Sequence, residues 1–196
     1  GYDASTELRS MAFIPGTHQL LFNTHQFQPT GVEPDDANRL SAKPNQDLLL
    51  VDADTAEIKQ LLAPGQGGIF QVSPDGKLIG IQTLDHIEVI GLDGQLIHND
   101  LATYPAAWLY NSQPDIYWAQ DSSRLSVVLP IPTGSALDSP GPQARTVWQY
   151  FMNGAPATQI QLFPPPIGNS FSISPDGDWI AYTYYYYPGQ TDPAPA

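Results

Sequence analysis

Ser73-Pro74-Asp75-Gly76 and Ser174-Pro175-Asp176-Gly177 are two copies of one four-residue pattern, and each copy lies between two short apolar segments. Proline presets φ at the first central position of a turn, aspartate can bond the backbone two residues further on, and glycine accepts a positive φ. The pattern therefore predicts a tight turn between two antiparallel strands. We interpret each copy as a β-hairpin and name its two strands a and b.

Two other segments align with these copies without a gap and carry degraded forms of the turn. They begin at Ile14 and Ala119. Taken with the copies that begin at Ser73 and Ser174, they give a repeat of roughly 45 to 60 residues, which is the length of a four-stranded propeller blade with variable loops.

A second hairpin follows the first in each of the three complete units. Its turns carry Asp54-Thr55, Asp93-Gly94 and Asn153-Gly154 between apolar segments, and Asp-Gly and Asn-Gly are strong hairpin signals. Each unit thus has four strands, a to d, and the fourth unit supplies only a and b. We predict an all-β fold, a β-propeller of four-stranded antiparallel blades with about three and a half blades present. The predicted units are about 10–62, 69–102, 115–163 and 170–187, and residues 188–196 form a linker or clipped tail.

The order of strand, Ser-Pro-Asp-Gly turn, strand and second hairpin resembles the TolB-like family of WD-type propeller repeats. The resemblance covers residues 10 to about 187. It implies a structural repeat that occurs in periplasmic binding proteins, in the non-catalytic domains of prolyl-oligopeptidase-like enzymes and in exported proteins. On this basis we expect a periplasmic or extracellular location.

The composition narrows the possible partners. The 196 residues carry seven Lys and Arg against twenty Asp and Glu, a formal net charge of −13. A negative chain is a poor match for nucleic acid or an anionic membrane surface. The absence of cysteine excludes disulfides and thiolate chemistry, and no apolar run is long enough to span a bilayer. The 20 prolines and 16 glycines favour short strands over helices, so we expect almost no helix.

No motif for catalysis or metal binding stands out. The sequence contains no Gly-x-Ser-x-Gly, no phosphate-binding loop and no His-Glu-x-x-His. His25 and His86 are expected in b–c loops of neighbouring blades, but no close histidine pair exists, and the carboxylates of Glu33-Pro34-Asp35-Asp36 do not match a calcium loop. We therefore expect no cofactor and no metal.

The functional prediction is a non-catalytic propeller domain, not itself an enzyme, that binds a protein, peptide or glycan in an exported protein. The alternative is an accessory propeller domain of a larger enzyme such as a prolyl-oligopeptidase-like peptidase. Because the fourth unit lacks strands c and d, we also expect the chain to be part of a longer propeller or to pair with another chain. Alone, it should associate or be poorly soluble.

The long connections indicate which face binds. The a–b and c–d turns are tight and lie on one face of a propeller, whereas the b–c and d–a connections lie on the other. Loops often carry function, although these could instead pack on one another or on further blades. The predicted contact residues on this face are His25, Phe27, His86, Trp108, Tyr110 and Tyr184.

Overall fold

The computed structural model describes residues 6–26, 45–83, 85–104, 114–131, 144–163 and 167–184. These residues form strands, turns and bends without any helix, so the prediction of an all-β chain is confirmed. The described residues contain no apolar helix of bilayer-spanning length.

The strands form four separate antiparallel sheets in chain order. The first sheet contains β1 (Thr6–Phe13), β2 (Gln19–Gln26), β3 (Asn45–Asp52) and β4 (Ile58–Gln60). The second contains β5 (Ile69–Val72), β6 (Leu78–Gln82), β7 (His86–Gly91) and β8 (Leu96–Thr103). The third contains β9 (Asp115–Trp118), β10 (Arg124–Ile131), β11 (Ala144–Phe151) and β12 (Thr158–Phe163). The fourth pairs β13 (Ile167–Ile173) with β14 (Ile180–Tyr184).

Each sheet follows the order of its strands in the chain, as the predicted a-to-d units require. Three four-stranded sheets and one two-stranded sheet are consistent with three and a half blades. At the ends away from the tight turns, β2 continues to Gln26, β8 to Thr103 and β10 to Ile131.

The Ser-Pro-Asp-Gly turns are built as their chemistry predicts. In the second sheet, the Gly76 amide donates to the Ser73 carbonyl at 2.9 Å, and Asp75 accepts from the Ser73 hydroxyl at 2.7 Å. The Ser73 hydroxyl oxygen in turn accepts the Leu78 amide at 2.9 Å. The fourth sheet repeats this arrangement around Ser174 and Asp176. The repeated aspartates therefore form turns.

Ser73 is fully buried, so its hydroxyl is expected to matter for stability. Replacing Ser73 by alanine should lower the free energy of unfolding by about 1–2 kcal/mol, because it leaves the Leu78 amide and the Asp75 carboxylate without this partner. Urea unfolding of the purified variant measures the change. Ser123→Ala is the matched control, since the exposed Ser123 hydroxyl also donates to a turn aspartate, Asp121, at 2.7 Å. Equal losses in the two variants would contradict this interpretation.

The hydrophobic core lies between successive sheets. One cluster joins the first and second sheets around Leu21 and Ile79, another joins the second and third around Val89 and Leu125, and a third joins the third and fourth around Val147. The first strands of the four sheets, β1, β5, β9 and β13, lie next to one another in this order. The sheets therefore stack face to face, and burial between them holds the stack together.

Four positions of the repeat form the side of each sheet that packs on the preceding one. Two lie on strand a and two on strand b, and alternation along the strands puts all four on one face. In the second, third and fourth sheets they pack in the cores between sheets. They are Phe70, Val72, Ile79 and Ile81 in the second sheet, Ile116, Trp118, Leu125 and Val127 in the third, and Phe171, Ile173, Ile180 and Tyr182 in the fourth.

Polar contacts between successive sheets supplement this packing. The buried Asn23 side chain donates to the Gly68 carbonyl at 2.7 Å, and the Trp118 indole donates to the Gln71 carbonyl at 3.1 Å. The main-chain N–H of Gln120 donates to the Pro175 carbonyl at 2.8 Å, and this bond joins two neighbouring turns. These directional bonds fix how each sheet sits on the next.

Candidate functional site

A shallow, open depression of about 480 Å³ lies in the second sheet, where β7 begins and β8 ends. This is the side that carries the b–c and d–a connections, the predicted binding face. The residues that line it are Asp85, His86, Asp100, Thr103 and Tyr104.

His86 is the centre of the site because four side chains approach its imidazole. Nδ1 lies 2.7 Å from an Asp85 oxygen and 2.9 Å from the Thr83 hydroxyl. On the other side of the ring, Nε2 lies 3.5 Å from Glu88 and 4.0 Å from Asp100. The ring is three-quarters buried, with 25% of its side chain exposed.

Two of the carboxylates beside the imidazole, those of Asp85 and Glu88, act on the pKa of His86. Burial by itself would lower the pKa of His86, but the hydrogen bond to Asp85 and the negative charge of Glu88 outweigh it, and the pKa is raised. Burial raises the pKa of Glu88, and the charge of His86 opposes this rise. The protonated ring and the surrounding carboxylates therefore stabilise one another.

Tyr104 and a distortion of β8 position these groups. The Tyr104 hydroxyl donates to the carbonyls of Thr83 at 2.8 Å and His86 at 3.0 Å, and the Tyr104 amide donates to the Asp85 carbonyl at 2.8 Å. Burial keeps this phenol protonated by raising its pKa. Asp100 has a positive φ of 52°, within the part of β8 where the pairing with β7 shifts register. The irregular segment brings Asp100 near His86.

The arrangement does not support nucleophilic catalysis at Thr83. The Thr83 hydroxyl donates to the main-chain oxygen of His86 at 2.9 Å, and the Asp85 carboxylate lies against Nδ1 of the ring. The raised pKa of His86 favours the charged form of this imidazole, and the charged form is a poor base toward the hydroxyl. The negative carboxylates instead favour a cationic group over an anionic one in the depression. No group of three or more His, Asp or Glu side chains in the described part of the chain is placed to hold a metal ion.

Of the predicted contact residues that the structure describes, His86 lines this depression, and it is the first residue of β7 and not part of a loop. His25 lies within β2, opposite Glu7 and Gln46, and not in a loop. Tyr184 is the last residue of β14. Phe27, Trp108 and Tyr110 lie outside the described residues, as do residues 33–36.

Titration of His86 should make stability depend on pH. Because the pKa of His86 is higher in the folded protein than in the unfolded chain, protonation of His86 stabilises the fold. This stabilisation is fully present below the unfolded-state pKa of about 6.5 and is lost as the pH rises through the folded-state pKa. The loss in free energy of unfolding on His86→Gln should therefore be largest at about pH 5.5, at about 1 kcal/mol after allowance for solvent screening, and should shrink by about pH 8.5.

Urea unfolding of the wild type and His86→Gln across this pH range measures the effect. His18→Gln is the control, because His18 also contacts a carboxylate, Asp54 at 2.8 Å, but both side chains are exposed. That variant should stay within about 0.5 kcal/mol of the wild type. A His86→Gln effect that does not vary with pH would show that the carboxylates do not stabilise the charged ring.

Comparison with known proteins places the fold. No family model matches the sequence, and none of the curated proteins matches it. Among solved structures, an oligogalacturonate lyase in complex with manganese superposes on 94% of the chain with a TM-score of 0.63 and 16% sequence identity. A second oligogalacturonate lyase, from Vibrio parahaemolyticus, superposes on 93% of the chain with a TM-score of 0.62 and 14% sequence identity. The acylaminoacyl peptidase of Pyrococcus horikoshii matches 89% with a TM-score of 0.59 and 16% identity.

These solved structures have β-propeller domains. The fold is β-propeller-like. The chain spans about half the length of the lyases, 49% and 48%, and 27% of the peptidase. The prediction that the protein is not an enzyme is contradicted, because these three similar structures are two lyases and a peptidase and nothing in the comparison supports a non-enzymatic protein. It rested on missing motifs, which say nothing about residues outside the sequence.

Proposed function

We propose that the chain is part of the propeller domain of a larger enzyme, such as a prolyl-oligopeptidase-like peptidase. The observation that carries the proposal is the likeness over 89% of this chain to only 27% of the acylaminoacyl peptidase. The matched part is 27% of that chain, so the remaining length of that enzyme has room for further blades and for a catalytic domain. The Ser-Pro-Asp-Gly repeat, which resembles that of TolB-like propellers, supports the same assignment.

Charge favours a peptidase over an oligogalacturonate lyase. Oligogalacturonate is a polyanion with one carboxylate on each sugar unit, whereas this chain carries a formal net charge of −13. In addition, the imidazole of His86 in the described depression has the carboxylates of Asp85, Glu88 and Asp100 around it. Such a surface repels a polyanion and attracts a cationic group, which a peptide can provide.

In this proposal the loop-bearing face contacts the substrate, and the nucleophile comes from outside these residues. His86 lies in the described part of this face and is a proposed substrate contact. The other proposed substrate contacts are the aromatic residues Phe27, Trp108, Tyr110 and Tyr184. The sequence has no Gly-x-Ser-x-Gly, so a serine on a strained turn would be supplied by the catalytic domain.

The test is the activity of the polypeptide encoded by the complete reading frame that contains these residues. It should cleave N-acylated peptide amides and should leave oligogalacturonate intact. Loss of peptide cleavage on treatment with a fluorophosphonate would confirm an activated serine. Cleavage of oligogalacturonate without peptide cleavage would replace the proposal with a lyase, and the absence of both activities would refute it.

A further inference from the structure

The outer face of the first sheet is an apolar surface with several strongly exposed side chains. It consists of two cross-strand rows on β1 to β4, given by the strand register. One row runs Phe13, Leu20, Val51 and Ile58, and the other runs Met11, Phe22, Leu49 and Gln60.

No residue of these rows carries a charge, although the chain as a whole is strongly acidic. Phe13 is 68% exposed, Ile58 62% and Met11 57%. The opposite side of the same sheet, with Ala12, Leu21 and Leu50, packs on the second sheet. A contiguous exposed apolar patch of this kind marks an interaction surface.

The repeat identifies what this surface is for. Met11, Phe13, Leu20 and Phe22 occupy the four positions that the second, third and fourth sheets use to pack on the preceding sheet. Phe70, the counterpart of Met11, is only 6% exposed. The outer face thus continues the series of interfaces already present in the stack, at the one sheet that has no preceding neighbour among the described residues.

We propose that the outer face of the first sheet is a docking surface for one further propeller blade, supplied by polypeptide outside these 196 residues. The proposal rests on the proposed function, in which the chain is part of a larger propeller. The occupant is a four-stranded antiparallel sheet with an uncharged apolar face. That face resembles the inner face of the first sheet, where Ala12, Leu21 and Leu50 pack in one core with Phe70 and Ile79 of the second sheet. Aligned packing of two such sheets buries both rows.

The absence of cysteine makes a direct test possible. Phe13→Cys places one thiol on the outer face, at the end of β1, and its rate of labelling by a maleimide reports exposure. The probe for the missing blade is a second copy of residues 6–67 fused ahead of residues 6–196, so that the natural connection between the first two sheets also joins the added sheet to the first.

Maleimide labelling of the Phe13→Cys thiol should be fast in the 196-residue chain. When Phe13→Cys is placed in the second copy of the tandem protein, labelling should be at least about tenfold slower, because the added sheet covers the thiol. The same substitution in the first copy of the tandem is the matched control and should stay fast. The experiment does not depend on activity, so its failure is separate from failure of the proposed function.

Two results would overturn the proposal. Equal labelling in both copies would show that the face does not accept a preceding blade. A discrete dimer of the 196-residue chain in sedimentation velocity, with labelling that slows as the dimer forms, would make a second copy of this chain the occupant.

Discussion

Replacing Phe70 by aspartate is expected to unfold the protein or to lower its free energy of unfolding by about 4 kcal/mol or more. The Phe70 side chain lies in the core between the first and second sheets, and the substitution puts a carboxylate there without a partner. A loss of this size is a large part of the total stability of a typical domain. Circular dichroism followed through a urea titration measures it.

Met11→Asp is the matched control, since Met11 occupies the same repeat position on the first sheet but is exposed. In the 196-residue chain this variant should stay within about 0.5 kcal/mol of the wild type. If the two substitutions had similar effects, the packing of the second sheet on the first through these repeat positions would be wrong.

Replacing Gly94 by alanine is expected to cost about 3 kcal/mol or more. Gly94 has a φ of 86°, and an added Cβ would lie 2.2 Å from the main-chain oxygen of Leu61 in the neighbouring sheet. The positive φ alone costs about 1–2 kcal/mol for a residue with a side chain. The contact with a backbone atom adds to this, because relieving it requires the two sheets to separate.

Gly154 provides the control in the equivalent turn of the third sheet. Its φ is 80°, its amide also donates three residues back, and an added Cβ would meet nothing within 4 Å. Gly154→Ala should therefore cost only the conformational part, about 1–2 kcal/mol. Thermal and urea unfolding of both variants would show the difference. Losses of equal size would mean that the second sheet does not sit against Leu61.

The fold could be predicted largely because its turns follow from local chemistry. Proline, aspartate and glycine define the turn at Ser73 without help from distant residues, and Asp93-Gly94 does the same for the second hairpin. The length of β8 could not be predicted, since His98, Asn99 and Asp100 are polar and Asp100 has a positive φ. Their place in a strand depends on pairing with β7.

Only part of the candidate site was visible in the sequence. The sequence predicts His86 as a contact residue in a b–c loop. Asp100 and Tyr104 carried no local signal, because they approach His86 only through the distorted pairing of β7 and β8 and through the hydrogen bonds of the Tyr104 hydroxyl. The spacing of 14 to 18 residues from His86 has no fixed geometric meaning until the strands are paired.

Successive stacking of the four sheets in propeller fashion is tested most directly by cysteine cross-linking in this cysteine-free chain. The exposed turn residues Gln120 and Pro175 belong to the third and fourth sheets, and their main chains are joined by a 2.8 Å hydrogen bond. The pair Gln120→Cys and Pro175→Cys should cross-link within one chain when a short bifunctional maleimide is added. The pair Pro15→Cys and Gln120→Cys, on the non-adjacent first and third sheets, should not. Cross-linking of both pairs to the same extent, or of the second pair alone, would contradict the stacking of successive sheets.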